Sequence, residues 1–475
     1  MVSSLNNKLK KALVSSFLAK NSAYLVQVLS LAITARLFSP QDFGVLATLA
    51  LLTQFFFVLG EGGIGTALIS ANKVTKSKRN CMFTLSAIIS LIFSFLFFVA
   101  APVLASYFQV DYGASRHILT FAIFFSLLSM VPVSILRREL WFILLGKIEV
   151  AAEITSLLFV ILLWKLGFRL EAIASRFLVI GVIKFFVVVY FTNTSSLGMP
   201  RLTKDFRSIN TFLRVSSYQF LYSIVNYMSR VGDNFAVGRI FDMSTLGYYE
   251  KAYQLMRYPM MLISISISPA IQSVMARESS DLEFFSSTYK NIERKLFVIG
   301  SALGLLFFIN SELLVLLMFG NDWLFVSNIL SVFSISIPFL LLQGISGGFF
   351  QALNDTKLLF YVGVFSLASN LVAILIGIYL GTVIYLSFCL VLSFLVTYIV
   401  THLLLYFHLF KVRESKQSLR ILMMLVVYFI LFSIAYNFSE FFDINNTEGL
   451  LAVLLVDVIF AAISLIILKN IIRNK

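Results

Sequence analysis

Long apolar runs separated by short polar connectors make up nearly the whole chain. They fall at roughly 14–36, 43–69, 81–107, 117–136, 148–165, 171–191, 213–240, 246–274, 296–311, 324–352, 358–377, 381–407, 419–436 and 449–468. A bilayer crossing needs about 20 apolar residues, so the pattern predicts fourteen transmembrane helices. Runs longer than that imply tilt or extension past the bilayer. The longest hydrophilic connectors are 192–212 and 275–295, and the outer connectors are short, which leaves no room for a soluble catalytic domain. Trp141, Trp164 and Trp323 fall at predicted helix ends, where an amphipathic ring prefers the interface.

Composition agrees. Apolar residues are 59% and charged residues 13% of 475, mean hydropathy is +0.94, and Phe alone supplies 50 positions. A soluble domain is nearer half apolar and a quarter charged. The balance excludes a soluble enzyme, a disordered chain and a fibrous repeat. The net charge of +14 would suggest nucleic acid in a soluble protein, but here the basic residues sit between apolar runs. With the N-terminus inside, predicted inner connectors hold 26 Lys and Arg and outer ones hold 5 (Arg36, Arg116, Lys165, Arg169 and Arg239). The positive-inside rule then places both ends in the cytoplasm. Lys8, Lys10 and Lys11 precede an apolar stretch to Phe38, longer than a signal-peptide core, which reads as a retained first helix. Two cysteines (Cys81, Cys389) and three scattered histidines (His117, His402, His408) build neither a disulfide framework nor a zinc site. No metal, cofactor or catalytic residue is expected.

A repeat is visible inside the pattern. Arg36-Leu-Phe-Ser-Pro-Gln-Asp-Phe-Gly44 and Arg239-Ile-Phe-Asp-Met-Ser-Thr-Leu-Gly247 end the first and seventh helices at an offset of 203. Six helices separate them, so both halves enter the membrane the same way, as in a parallel transporter repeat. The predicted fold is all-α and polytopic: a six-helix lobe at 1–200, a second at 201–410, and two additional helices at 411–475. Pro132 and Pro338 recur mid-span at an offset of 206, and Pro259 and Pro269 interrupt the eighth run. Each removes a backbone hydrogen bond and favours a kink. Gly60-Glu-Gly62-Gly-Ile-Gly65 matches G-x-G-x-x-G, but a dinucleotide fingerprint needs a preceding strand. In an apolar helix it means close packing or a bending point.

These segments resemble the polysaccharide transporter family, the O-antigen and capsule-repeat flippases of the multidrug/oligosaccharidyl-lipid/polysaccharide (MOP) exporter superfamily. The resemblance rests on Arg36–Gly44, Gly60–Leu68, Leu136-Arg-Arg-Glu-Leu-Trp-Phe142, Ser229-Arg-Val-Gly-Asp-Asn-Phe-Ala-Val-Gly-Arg-Ile-Phe241, Leu246-Gly-Tyr-Tyr-Glu-Lys-Ala-Tyr253 and Gly348-Phe-Phe-Gln-Ala-Leu-Asn-Asp-Thr-Lys357. It covers the first two-thirds of the chain. Gly232 before Asp233 departs from the family, which more often has an apolar residue there, and Glu61 stands where a neutral one is common. The resemblance implies a flippase of the bacterial cytoplasmic membrane that takes a polyprenyl-pyrophosphate-linked oligosaccharide for O-antigen, capsule or exopolysaccharide synthesis. Its partners would be that substrate, membrane lipids and the polymerase machinery, with no nucleic acid. The rival readings are an ion-coupled multidrug exporter of the same superfamily, which would want acids at depth, and a membrane polymerase or ligase, which would want a large outer loop.

Ionisable groups inside a bilayer face a partner or a watery cavity. At 1.5 Å per residue, Arg257 lies roughly 16 Å into the eighth helix and Lys184 about 20 Å into the sixth, neither with an acid at i±3 or i±4. They are the leading candidates for holding an anionic substrate in a cationic cleft. Arg230 and Lys20 are the others. Arg230 shares a face with Asp233, and Glu250 with Arg257, so local pairing competes with substrate binding. Asp233, Glu61 and Asp457 are candidates for ion coupling or charge pairing.

Overall fold

A computed structural model describes residues 21–61, 68, 74–205, 217–264, 266–268, 271, 282–353, 355–411 and 415–439. Lys20, Asp457 and the fourteenth predicted span lie outside the described residues, as do most of the Gly60–Gly65 segment and the Glu61 side chain. The main elements are sixteen α-helices, with no strand among the described residues. They are α1 (21–37), α2 (Pro40–Glu61), α3 (Lys76–Phe108), α4 (Ser115–Leu128), α5 (Met130–Arg138), α6 (Phe142–Lys165), α7 (Leu170–Thr192), α8 (Ser217–Ile240) and α9 (Met243–Leu262). Then follow α10 (Leu282–Ile309), α11 (Ser311–Met318), α12 (Phe325–Ser334), α13 (Ile337–Ala352), α14 (Thr356–Tyr379), α15 (Val383–Leu403) and α16 (Ser415–Ser439).

Six described stretches are long and apolar enough to cross a membrane, and two bent pairs make eight if each is one span. The protein is therefore a multi-pass, all-α membrane protein. On α3 burial runs opposite to that of a soluble helix. α3 has the highest hydropathy, 2.6, yet only 22% of its span is buried, against 56% for the less apolar α2. Leu91, Phe95, Val99 and Val103 of α3 are exposed, while Ser86, Ser90 and Ser94 on its other face are buried. Apolar side chains face outward and small polar ones pack inward, as lipid requires.

The prolines mark breaks in both halves. The fourth predicted span divides at Ser129, three residues before Pro132. The tenth bends by 59° between α12 and α13, with Pro338 in the first turn of α13. Other features depart from the sequence pattern. The stretch 282–295, read as a connector, is the first half of α10, because Phe285, Tyr289, Glu293 and Leu296 recur on one buried stripe. Residues 311–318 form α11, turned 74° from α10. Gly320 ends it at φ +92°, which only glycine adopts easily. Trp323 is at a helix end as expected, but it packs inward against Phe319 and Tyr248 and is fully buried.

The chain divides into two compact units, residues 1–247 and 248–475. In the first, α6 and α7 form a close hairpin, α4 packs on α7, and α2 packs on α3, α4 and α8. The Tyr227 hydroxyl of α8 donates to the Leu51 carbonyl of α2. In the second unit α14 and α15 form the hairpin, and α10 packs on α12 and α13. The N-terminus of α14 is capped by Asp355, which accepts from Leu358 N–H at 3.0 Å. Asp355→Ala should cost about 1 kcal/mol and Asp355→Asn much less, as a thermal unfolding comparison would show.

Candidate functional site

In the first unit α2, α4, α5 and α7 leave a cavity of about 430 Å³ among them. Its walls are largely apolar, with Phe57, Val58, Leu127, Met130, Val133, Phe177 and Ile180. Glycines set the spacing of these walls: a Cβ at Gly181 of α7 would come within 2.9 Å of Ser126 Oγ on α4, and one at Gly60 of α2 would overlap Leu127. Onto this frame the chain projects Gln54, Ser126, Ser129, Ser134, Arg137 and Lys184. Gln54 is exposed in the middle of the α2 span, though its neighbours Thr53 and Phe56 are buried. A neutral amide held open there, together with a lysine and an arginine, describes a watery cavity rather than a lipid-facing groove.

Lys184 is not alone. Its Nζ lies 3.0 Å from Glu149 Oε1 on α6, each side chain about one-third exposed (31% and 32%). One helical turn along α6, Glu153 pairs with Arg176 of α7, and both are more deeply buried. The antiparallel hairpin thus carries two ion pairs. The Arg176–Glu153 pair is sealed in the interface, whereas Lys184–Glu149 opens on the cavity. Sequence reasoning weighed acids on the helix of Lys184 only, and Glu149 lies on its neighbour. Arg137, at the end of α5, is exposed at the cavity wall and has no carboxylate within ion-pair distance among the described residues. The sequence singled it out only within the Leu136–Phe142 segment, not as a candidate site residue. The arrangement offers two cations, one of them already partnered, to an anion in a cavity of mixed apolar and polar walls.

The remaining candidates stand elsewhere. Arg257, in the second unit, is half-buried with its guanidinium 5.8 Å from the Tyr253 ring centroid. No carboxylate among the described residues lies within ion-pair distance of it, so the local Glu250–Arg257 pair does not form. An arginine on an aromatic face keeps its charge available at a small cost in desolvation. On α8, Arg230 Nε donates to the Asn226 carbonyl at 3.3 Å. Asp233 is buried and accepts from Asn234 N–H at 2.8 Å.

Comparison with known proteins follows the same outline. The model of a polysaccharide biosynthesis protein family matches residues 33–328. The teichuronic acid biosynthesis protein TuaB of Bacillus subtilis is 20% identical over 343 residues, 71% of this chain and 70% of that one. The succinoglycan biosynthesis transport protein ExoT of Rhizobium meliloti is 20% identical over 322 residues, 68% of this chain and 64% of that one. Among solved structures, the lipid II flippase MurJ in an inward closed conformation superposes with a TM-score of 0.69 at 19% identity, covering 95% of this chain and 97% of that one. An inward-facing multidrug resistance MATE family transporter of the MOP superfamily gives 0.63 at 15% identity, covering 80% and 93%. These likenesses show a shared fold.

Proposed function

The chain belongs to the polysaccharide biosynthesis protein family, and from that premise we propose that it flips a polyprenyl-pyrophosphate-linked oligosaccharide repeat from the inner to the outer leaflet of the bacterial cytoplasmic membrane. The observation that carries this reading is the cavity lined by Lys184, Arg137 and Gln54 within an otherwise apolar bundle. A glycan and a diphosphate do not cross hydrocarbon unaided, since each unsatisfied polar group costs several kcal/mol there. The cavity volume is in the range of ligand sites. Its amide and hydroxyls suit sugar, and its two cations suit diphosphate, while the polyprenyl tail stays in lipid. Transport then proceeds by alternating access of the repeat halves, 1–200 and 201–410, with 411–475 outside the repeat. Both chain ends are cytoplasmic in this reading, and the polymerase machinery consumes the product. The chain acts as a transporter, not an enzyme.

Deletion in the native host should stop incorporation of labelled sugar into surface polymer and leave the lipid-linked repeat in the inner leaflet. Drug susceptibility should stay unchanged. Normal polymer together with raised drug susceptibility would replace the flippase with an exporter of the same fold. Arg257→Ala, which removes a half-buried cation that has no acid partner among the described residues, should lower polymer output several-fold at unchanged protein level. Immunoblotting beside polymer quantification checks both.

A further inference from the structure

The second unit holds a buried titratable cluster that translocation as described above does not use. Glu293 of α10 and His402 of α15 face each other, with His402 Nδ1 2.5 Å from Glu293 Oε1. The contact is close but off the hydrogen-bond axis. The Tyr398 hydroxyl donates to Oε1 at 3.1 Å and the Tyr406 hydroxyl to Oε2 at 3.3 Å. All four side chains belong to buried residues. Aromatic rings close the site: Tyr289 touches His402, Tyr406, Phe349 and Phe410, and the His402 and Tyr406 ring centroids are 4.4 Å apart. The Lys290 ammonium sits 6.0 Å from the Tyr406 ring centroid. Among the described residues, α12 and α13 bring no titratable side chain to the cluster, and Tyr428 of α16 is bonded to the Ile335 carbonyl instead. No group of three metal-ligating residues forms there or elsewhere among them.

Such burial makes the proton inventory matter. With both an ionised carboxylate and a neutral imidazole the cluster would carry one net negative charge, held by two hydroxyls. With an imidazolium it is a neutral ion pair inside aromatic walls. His402 Nε2 is buried without a hydrogen-bond partner among the described residues. A proton gained or lost there breaks no bond to the protein. Histidine is the side chain whose unperturbed titration falls nearest neutrality. Lys290 is half-buried and Arg294, one residue beyond Glu293, is exposed. An irregular turn is also attached. Directly after His402 the helix widens into a π turn, Leu404–Leu409, in which Phe410 N–H reaches back to the Leu405 carbonyl at 2.8 Å. This π turn closes the C-terminal end of α15, a place where such turns occur. This one carries Tyr406, so the hydroxyl on Oε2 is held by the widened register.

We propose that Glu293 and His402 form a proton-binding site whose occupancy sets the register of the Leu404–Leu409 turn. A proton on the imidazole compensates the carboxylate and loosens its demand for Tyr406; its loss to water makes that hydroxyl indispensable. Use of this step to drive transport rests on the flippase reading, but proton binding does not.

The test therefore needs no substrate. Full-length protein in detergent is titrated between about pH 5 and pH 8, with proton uptake and the tyrosine ultraviolet difference spectrum followed together. Wild type should bind one proton more than His402→Gln, with a tyrosine signal at the same midpoint that Glu293→Gln abolishes. Tyr406→Phe keeps the ring but removes a donor to the carboxylate, so uptake should persist with its midpoint displaced from that of wild type. Equal uptake by wild type and folded His402→Gln would overturn the proposal. Should that variant fail to fold, an unmoved midpoint in Tyr406→Phe overturns it instead.

Discussion

Gly44→Ala and Gly247→Ala should each destabilise the protein by about 1–3 kcal/mol or more, and by similar amounts. The two glycines are equivalent positions of the repeat, 203 residues apart like Arg36 and Arg239. The structure makes them equivalent in space too. A methyl on Gly44 would overlap the carbonyl oxygen of Met243 and come within 2.7 Å of its carbonyl carbon. A methyl on Gly247 would overlap the carbonyl oxygen of Pro40 and come within 2.8 Å of its carbon. Pro40 and Met243 are themselves 203 apart and open α2 and α9. Each first helical turn thus seats its glycine on the other's first carbonyl. Backbone on both sides cannot swing away as a flexible side chain does. Because both glycines serve one contact, the double variant should cost less than the sum of the singles. Gly347→Ala on α13 is the control, since nothing lies within 4 Å of its added Cβ. Thermal unfolding of the purified full chain reads all four. A Gly44→Ala protein as stable as Gly347→Ala would refute the reciprocal contact.

That contact shows what was legible in the chain and what was not. Arg36–Gly44 and Arg239–Gly247 were readable as a repeat because the turn chemistry lies in nine consecutive residues. Their mutual packing was not, since no local signal says that one copy rests on the other. Hydropathy marked helices such as α3 clearly, because a lipid-facing helix must be apolar along its whole exposed side, and six to eight of the predicted crossings are apolar and long enough among the described residues. It failed where apolar residues point inward. It also missed a short helix, since residues 311–318 looked like loop between two charged residues and proved helical, though only Val315 of them is buried. The first half of α10 looked like a polar connector, because Lys290, Arg294 and Lys295 masked a buried stripe at helical spacing. The candidate site divides along the same line. Lys184 was a candidate from its depth and the lack of an acid at i±3 or i±4, both properties of one helix. Glu149, Gln54 and Arg137 join it only through the packing of α2, α5, α6 and α7. Glu293 and His402, 109 residues apart, carry no sequence signal at all.

Lys184→Met should reduce polymer output about ten- to a hundredfold at unchanged protein level, whereas Glu149→Gln should leave output near wild type. The magnitude follows from hydrogen bonds to charged groups, worth about 1.5–3 kcal/mol, at roughly tenfold per 1.4 kcal/mol. The asymmetry is what separates substrate binding from structure. If Lys184 only clamps the α6–α7 hairpin through its 3.0 Å contact with Glu149, either single change leaves one charge unpartnered. The two should then be equally harmful, and Lys184→Met with Glu149→Gln together should recover. If Lys184 instead holds diphosphate, removing Glu149 frees the cation for its anion, and the double variant stays as poor as Lys184→Met alone. The pair is one-third exposed, so its own contribution to stability is small. The sealed Arg176–Glu153 pair supplies the contrast. Arg176→Met should lower thermal stability, because it strands a buried carboxylate. Arg137→Met should add to the defect of Lys184→Met, since both cations face the same cavity. Recovery of output in the Lys184→Met, Glu149→Gln double variant would return the lysine to a purely structural role and leave the cavity without its anion contact.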